Sequence, residues 1–482
     1  MTKNHTYQTH GSITVHTEAT QVDYVGAIEP LIDRLDSEPG VLLASSFEYP
    51  GRYTRWDIGF SNPPVVMTAR GLEFKIEALN ARGKLLLPAM IGPLGNLEGV
   101  TLERAEAGLI TGNVEKSEER FPEELRSKQS SVFSVLRAMI ELFYSSEDRY
   151  LGLFGAFGYD LAFQFESIDF YIPRADSQRD LVLYLPDEII IVDHRREVAT
   201  IHQYDFVTDA GDTRGLAREG KQTPYQPAES VPEPGDHDPG EYAESVQRAR
   251  ESFKRGDLFE VVPGQSFFEP CTAPPSEVFR RLRLRNPAPY GALMNLGDGE
   301  YLVAASPEMY VCVKDRTVET CPISGTIARG RDAIDDAQQI QTLLNSTKEE
   351  SELTMCTDVD RNDKSRICEP GSVEVIGRRQ IEMYSRLIHT VDHVKGALRE
   401  GYDALDAFLT HTWAVTVTGA PKLWAMKFIE EHEKSARRWY GGAIGFMNFS
   451  GDMNTGLTLR TIQIRDGVFQ TSSSCAARHL QL

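Results

Sequence analysis

Two glutamates one helical turn apart, Glu349 and Glu352, are the sharpest chemical signal in this 482-residue sequence. They lie in Lys348-Glu349-Glu350-Ser351-Glu352, on a helix predicted over residues 335–356 from the spacing of Ile340, Leu343, Leu344, Leu353 and Met355. Helix side chains three apart share a face, so the two carboxylates are presented together. Such a pair can hold a hard divalent cation through oxygen, with substrate oxygens and waters completing its shell. A solvated helix face, with Lys348 as a local ion-pair partner, accounts for the same residues. A second candidate is Thr416-Val-Thr-Gly-Ala-Pro-Lys422, ahead of a predicted helix at 423–433. Glycine and then proline at a helix start leave N–H groups free for an anion, beside the Thr416 and Thr418 hydroxyls, or simply cap the helix.

The elements that must position these residues belong to a large acidic protein. The chain has 51 Lys and Arg against 71 Asp and Glu, a formal charge of −20, and no long basic run. That balance excludes a nucleic-acid or anionic-membrane partner and leaves any anionic substrate to a few local cations. The polar start, MTKNHTYQTHGS, lacks the apolar core of a signal peptide, and no apolar run is long enough to span a bilayer. Six cysteines (271, 312, 321, 356, 368 and 475) occur singly, without C-x-x-C. Reduced thiols in a cytoplasmic protein are the expectation.

Residues 10–220 read as mixed strand and helix, with strands at 41–46, 65–68, 74–76, 181–185 and 189–192 and helices at 27–35 and 130–144. The glycine- and aromatic-rich run at 151–159 suits close packing of sheet backbone and demands no phosphate. Residues 223–240 hold five prolines and mark the expected linker between an N-terminal domain, 1–222, and a second domain, 241–482. Asp238, Pro239 and Glu241 predict the next helix start, which runs to Gly256-Asp257, followed by a strand at 258–262. From 300 onward short strands are dense: 301–304, 309–313, 317–320, 388–394, 443–449 and 457–464.

The second half also carries Pro322-Ile-Ser-Gly-Thr326, Asp358-Val-Asp-Arg-Asn-Asp363, Tyr384-Ser-Arg-Leu-Ile-His389, Tyr440-Gly-Gly-Ala-Ile-Gly445 and Thr458-Leu-Arg460. In this order, with the Glu349/Glu352 pair, they closely resemble the chorismate-utilising enzymes, and among them the anthranilate synthase component I family. The resemblance covers nearly the whole chain and is strongest from 240 to 467. It implies an α+β fold of large mixed or antiparallel sheets packed face to face, with helices outside. It also implies a lyase acting on chorismate, with Mg2+ as cofactor and anthranilate and pyruvate as products, at the first step of tryptophan biosynthesis.

Residue by residue, the resemblance assigns Arg460 and Tyr440 to the enolpyruvyl carboxylate, which a guanidinium fork suits. Gly325 and Thr326 match substrate contacts, and Glu352 matches a Mg2+ ligand supported by Glu349. Glu308 matches the general acid that protonates the departing ring hydroxyl, a role favoured by partial burial. His389 matches the histidine that assists loss of pyruvate, and Thr416 a pocket threonine. Relatives that add water carry a lysine where this chain has Glu260. Aminodeoxychorismate synthases often carry one at the position of Ser324. Without either lysine the pocket looks built for ammonia, supplied by a glutaminase domain or subunit that this chain lacks. An aminodeoxyisochorismate synthase and a non-catalytic tryptophan-binding remnant stay open as alternatives, as does a homo-oligomer.

Leu42-Leu43-Ala44-Ser45 and Asn286-Pro-Ala-Pro289-Tyr290-Gly291 resemble the family's tryptophan contacts, with Ser45, Pro289, Tyr290 and Gly291 as effector residues. Ala44 and Gly291 replace an acid and a methionine. After Gly467 the pattern departs: Ser474 and Ala476 fall where two glycines belong, and a second metal glutamate and a lysine would lie past residue 482. That ending implies a shortened chain with weak Mg2+ binding, low activity and limited solubility.

Overall fold

The computed structural model describes residues 2–116, 121–474 and 477–478. Two large sheets dominate it, of twelve and thirteen strands among the described residues, and every strand pair is antiparallel. The runs with no polar alternation sit deepest. Gly152–Phe157 and Leu181–Leu185 are buried along their whole length and pair with each other at the middle of the thirteen-stranded sheet. Glycine permits the close approach there: a Cβ on Gly155 would run into the Val182 carbonyl, and one on Gly152 into that of Met447.

The sheets face one another across an apolar layer. Phe60 of the twelve-stranded sheet meets Phe154 edge-on at 5.5 Å and Trp56 meets Phe446 at 6.1 Å, while Tyr184 donates to Asn295 O at 3.1 Å. Aromatic edges pack well against faces at such spacings. Helices lie outside, among them Ala81–Gly95 and Val132–Phe143, whose buried residues join the same core.

Both sheets draw strands from either side of residues 223–240. Gly40–Ala44 pairs with Tyr290–Asn295 in one sheet, and Gly152–Phe157 with Ala443–Asn448 in the other. The first and second segments of chain therefore share one core. The helix after the proline-rich stretch begins at Glu241, two residues later than the sequence suggests. Gly240 at φ 99 is its N-cap, and Asp238 instead donates its backbone N–H to Glu241 Oε2 at 2.7 Å. The strand expected at 258–262 shrinks to Glu260–Val261, paired with Gly419–Ala420 and Ala477–Arg478 in a small third sheet.

Two further departures from the sequence reading matter for function. The single helix expected at 335–356 is two, Ala333–Asn345 and Thr347–Ser365, because Ser346 ends one and caps the other. Its hydroxyl accepts from Glu349 N at 3.3 Å, the Ser-x-x-Glu pattern of a helix start. The strand expected at 457–464 is also two: Met453–Leu457 in the thirteen-stranded sheet and Thr461–Arg465 in the twelve-stranded one. Ser474 ends the strand Val468–Ser474, which pairs with Gly264–Pro270, and Ala476 lies outside the described residues. The five described cysteines form no disulfide. No helix among the described residues is long and apolar enough to cross a membrane.

Candidate active site

Two chain crossovers between the sheets build the site. Glu300–Ser306 lies in one sheet and Met309–Lys314 in the other, so Pro307-Glu308 spans the gap. Thr458–Arg460 spans it the other way, and Arg460 takes φ +48, a left-handed conformation that a non-glycine residue adopts at some cost. Such transitions present side chains at a sheet edge without disturbing either ladder.

Glu308 is 3% exposed. Thr416 Oγ1 donates to its Oε1 at 2.8 Å. Burial pushes its carboxyl up to about 8, against the lowering effects of the Thr416 and Ile323 hydrogen bonds and of nearby Arg460. A carboxyl so placed stays protonated at neutral pH and can serve as an acid. Behind it a cavity is lined by Thr320, Asp360, His411, Thr416 and Lys422. Lys364, wholly buried, donates to Asp360 Oδ2 at 2.9 Å, and Lys422 to Asp363 Oδ2 at 2.6 Å. Thr416 therefore serves Glu308 directly, and Lys422 of the same turn is spent on an ion pair.

His389 stands opposite Thr326 in the pairing of Ile323–Ala328 with Leu387–Ala397. Its Nε2 lies 2.8 Å from Arg460 Nη2 and its Nδ1 2.9 Å from Thr326 Oγ1. A guanidinium only donates, so Nε2 is the accepting nitrogen and Nδ1 carries the proton. Burial first, and then the Arg460 charge, push the imidazole down to about 3, so it is neutral at physiological pH. Burial likewise lowers the Arg460 guanidinium from its ordinary value, against the pull of Tyr384 and Glu308.

The glutamate pair arrives on the helix Thr347–Ser365, which packs on the strands of Gly325 and His389. Glu349 sits so close to Gly325 that a Cβ on that glycine would lie 3.4 Å from Glu349 Oε2. Gly325 itself has φ +88, and Thr390 Oγ1 donates to Ser324 O beside it. Glu352 is 1% exposed. The Lys348 ammonium lies 3.6 Å from Glu349 Oε1 and 3.8 Å from Glu352 Oε1, so one cation already sits between the two carboxylates. No group of three or more His, Cys, Asp or Glu is gathered for a metal among the described residues. Two carboxylates are nonetheless the protein share that suits Mg2+, which retains waters and substrate oxygens.

Tyr440 is buried at the far side, its ring 5.3 Å from the Arg437 guanidinium carbon and beside Gly264. The backbone joins it to the Arg460 crossover, Gly441 N–H donating to Thr458 O at 2.9 Å. Glu308, Thr416, Arg460, His389, Thr326, Gly325, Glu349 and Glu352 thus form one connected cluster, with Tyr440 attached through the main chain. Ser45, Pro289, Tyr290 and Gly291 converge separately, on a cavity of about 50 Å³ also walled by Trp56 and Phe446. Gly291 and Ala44 face each other in the strand pairing, and a Cβ on Gly291 would meet Ala44 O. The two replaced positions are therefore neighbours.

Sequence reasoning quoted Tyr384 without giving it work and passed over Arg52 and Glu382. Tyr384 OH lies 2.7 Å from Glu382 Oε2, and Arg52 Nη2 pairs with Glu382 Oε1 at 2.5 Å. Nothing local in the sequence marks Arg52, since its partner is 330 positions away.

Residues 100–476 match the family model described as chorismate binding enzyme. The chain is 58% identical to the anthranilate synthase of Azospirillum brasilense, over 96% of this chain and 63% of that one. It is 33% identical to anthranilate synthase component 1 of Streptomyces coelicolor, over 66% of each. The chain thus spans just under two thirds of the length of these relatives. Anthranilate synthase component I from Streptococcus pneumoniae shares the fold, with a TM-score of 0.65 at 23% identity over 90% of each chain.

Proposed function

This chain is a member of the chorismate binding enzymes, and from that premise we propose that it makes anthranilate: chorismate and ammonia give anthranilate, pyruvate and water. One observation carries the reading. Glu308 is an acid held protonated by burial, within electrostatic reach of Arg460, whose guanidinium in turn bonds a neutral His389. That arrangement suits a reaction in which a hydroxyl leaves with a proton and a ring proton is then removed.

Arg460 and Tyr440 hold the enolpyruvyl carboxylate, Gly325 and Thr326 line the ring, and the Glu308 carboxyl donates its proton to the departing hydroxyl. When a substrate carboxylate takes the Arg460 donors, Nε2 of His389 is released to accept a proton during loss of pyruvate. The bond from Nδ1 to Thr326 keeps that tautomer in place. Glu349 and Glu352 are the residues that would hold Mg2+, which when bound neutralises the ring carboxylate. A neutral side chain at Ser324 and a carboxylate at Glu260 leave no lysine at either of these positions to activate water, which favours ammonia. That ammonia would come from a glutaminase partner. Tryptophan would occupy the cavity formed by Ser45 on residues 1–222 and by Pro289, Tyr290 and Gly291 on residues 241–482, as an inhibitor.

The test is incubation of the protein with chorismate, ammonium and Mg2+, reading anthranilate by fluorescence and pyruvate with a coupled dehydrogenase. Equal amounts of both are expected, with Glu308→Gln slower by roughly 10²–10⁴-fold. An aminated or hydroxylated ring product without pyruvate would refute the assignment.

A further inference from the structure

Two parts of the sequence motifs take no share in the steps at the chorismate ring, yet they meet behind Glu308. Asp360 and Asp363, of the Asp358–Asp363 motif, and Lys422, of the Thr416–Lys422 turn, line a cavity of about 30 Å³ that Glu308 also walls. A space of that size with polar walls holds water. Around it runs a connected set of proton carriers. Lys364, wholly buried, donates to Thr320 Oγ1 at 2.5 Å, to Asp360 Oδ2 at 2.9 Å and to His411 Nε2 at 3.3 Å. Thr320 Oγ1 in turn donates to Asp360 Oδ2 at 2.7 Å. His411 Nδ1 lies 2.7 Å from Ala407 O, and a carbonyl only accepts, so Nδ1 carries the ring proton and Nε2 is the acceptor. Lys422, only partly buried, donates to Asp363 Oδ2 at 2.6 Å and to His411 O at 3.0 Å.

Charge counting shows what this set must answer. Asp360 and Asp363 balance Lys364 and Lys422, so these groups are neutral together while Glu308 holds its proton. When Glu308 protonates the departing hydroxyl, its O–H bond breaks, the ring C–O bond breaks with its electron pair on oxygen, and water leaves. A buried carboxylate then shares the cavity with Asp360, and like charges in a dry site are costly. Ammonia joins the ring as an ammonium carrying one proton too many, which it sheds to solvent. The proton count closes when Glu308 takes one up. Its front is covered meanwhile by the ring, still seated for loss of pyruvate.

Resting on the anthranilate synthase reading, we propose that the Thr320–Asp360–Lys364–His411 cluster returns the proton to Glu308 from behind, through water in this cavity, with His411 as the relay. A proton entering past Lys422 settles on His411 Nε2, crosses by cavity water to the Glu308 carboxylate, and leaves the cluster as it began. No electrons change hands. Asp360 Oδ1, 3.5 Å from Nε2, supports the imidazolium formed in transit. The Lys364 ammonium beside it opposes that charge and drives the proton onward, so His411 passes the proton without storing it.

The test separates the first turnover from later ones. The full chain is mixed with chorismate, Mg2+ and ammonium at about pH 6.5, where Glu308 starts protonated. Anthranilate formed per chain is followed by rapid quench. The unaltered protein is expected to show no burst. His411→Ala, and Ala414→Val, which fills the cavity, should complete one turnover within about twofold of the unaltered rate and then slow by about tenfold or more. Imidazole in the buffer should restore the later turnovers of His411→Ala and leave those of Ala414→Val slow. A merely structural role would slow first and later turnovers alike, with no response to imidazole. A constant rate in both variants overturns the proposal, since Glu308 would then recover its proton from the substrate side. A raised ammonium requirement without a burst also overturns it, by giving the cavity to ammonia. No anthranilate from the unaltered protein refutes the reading of the active site itself, and the relay falls with it.

Discussion

Replacing the buried acid by its amide, Glu308→Gln, should change how stability depends on pH as well as slow turnover. Glutamine keeps the shape and still accepts from Thr416 Oγ1, but it has no proton to lose. In the folded protein Glu308 titrates near 8 against 4.5 for an ordinary glutamate, with burial as the leading cause. Below the unfolded value both states hold the proton and the group costs nothing. Between 4.5 and about 8 only the folded state holds it, so stability falls as pH rises through this window. At about 1.4 kcal/mol per pH unit the loss reaches about 5 kcal/mol by pH 8, an upper figure because local opening can relieve it. The assay is urea unfolding of both proteins at pH 5, 6.5 and 8 in Mg2+-free buffer. All other groups cancel in the difference, so the variant should gain on the unaltered protein by several kcal/mol between the extremes. Parallel stability–pH curves would show that Glu308 titrates like a surface glutamate, and the acid role argued from its burial would fall with them.

Two other outcomes follow from the same geometry. His389, pushed down to about 3 by burial and Arg460, should keep its proton on Nδ1 and show no titration between pH 5 and 8 in nitrogen-15 spectra of labelled histidine; a midpoint near 6.5 would contradict the Arg460 contact. With chorismate present, Mg2+ at about 100 times its dissociation constant should stabilise the protein by about 2.7 kcal/mol. Glu352→Gln should remove most of that gain in a thermal melt, and an undiminished gain would place the ion elsewhere.

Much of the site could be read from local pattern because its parts are local. The i, i+3 spacing of Glu349 and Glu352 survives any choice of helix ends, and the motif order from Pro322 to Arg460 needs no coordinates. Even the break at Ser346 was written in Ser-x-x-Glu, yet it was masked by apolar spacing that ran on through it. The proposed effector residues likewise surfaced as two short runs, and the strand pairing of Gly291 with Ala44 then brought them together.

What the residue order could not reveal is where the chain changes sheets. Residues 457–464 read as one strand because Leu457 and Ile464 are both wholly buried, each under a different sheet. Alternation reports that a side chain is covered, not what covers it. The partner of a strand is chosen by contacts hundreds of positions away, as with Gly40–Ala44 on Tyr290–Asn295 or Gly152–Phe157 on Ala443–Asn448. The types of the candidate catalytic groups were therefore set by the sequence. The raised acid and the neutral imidazole exist only once both sheets have closed and driven water from the crossovers between them.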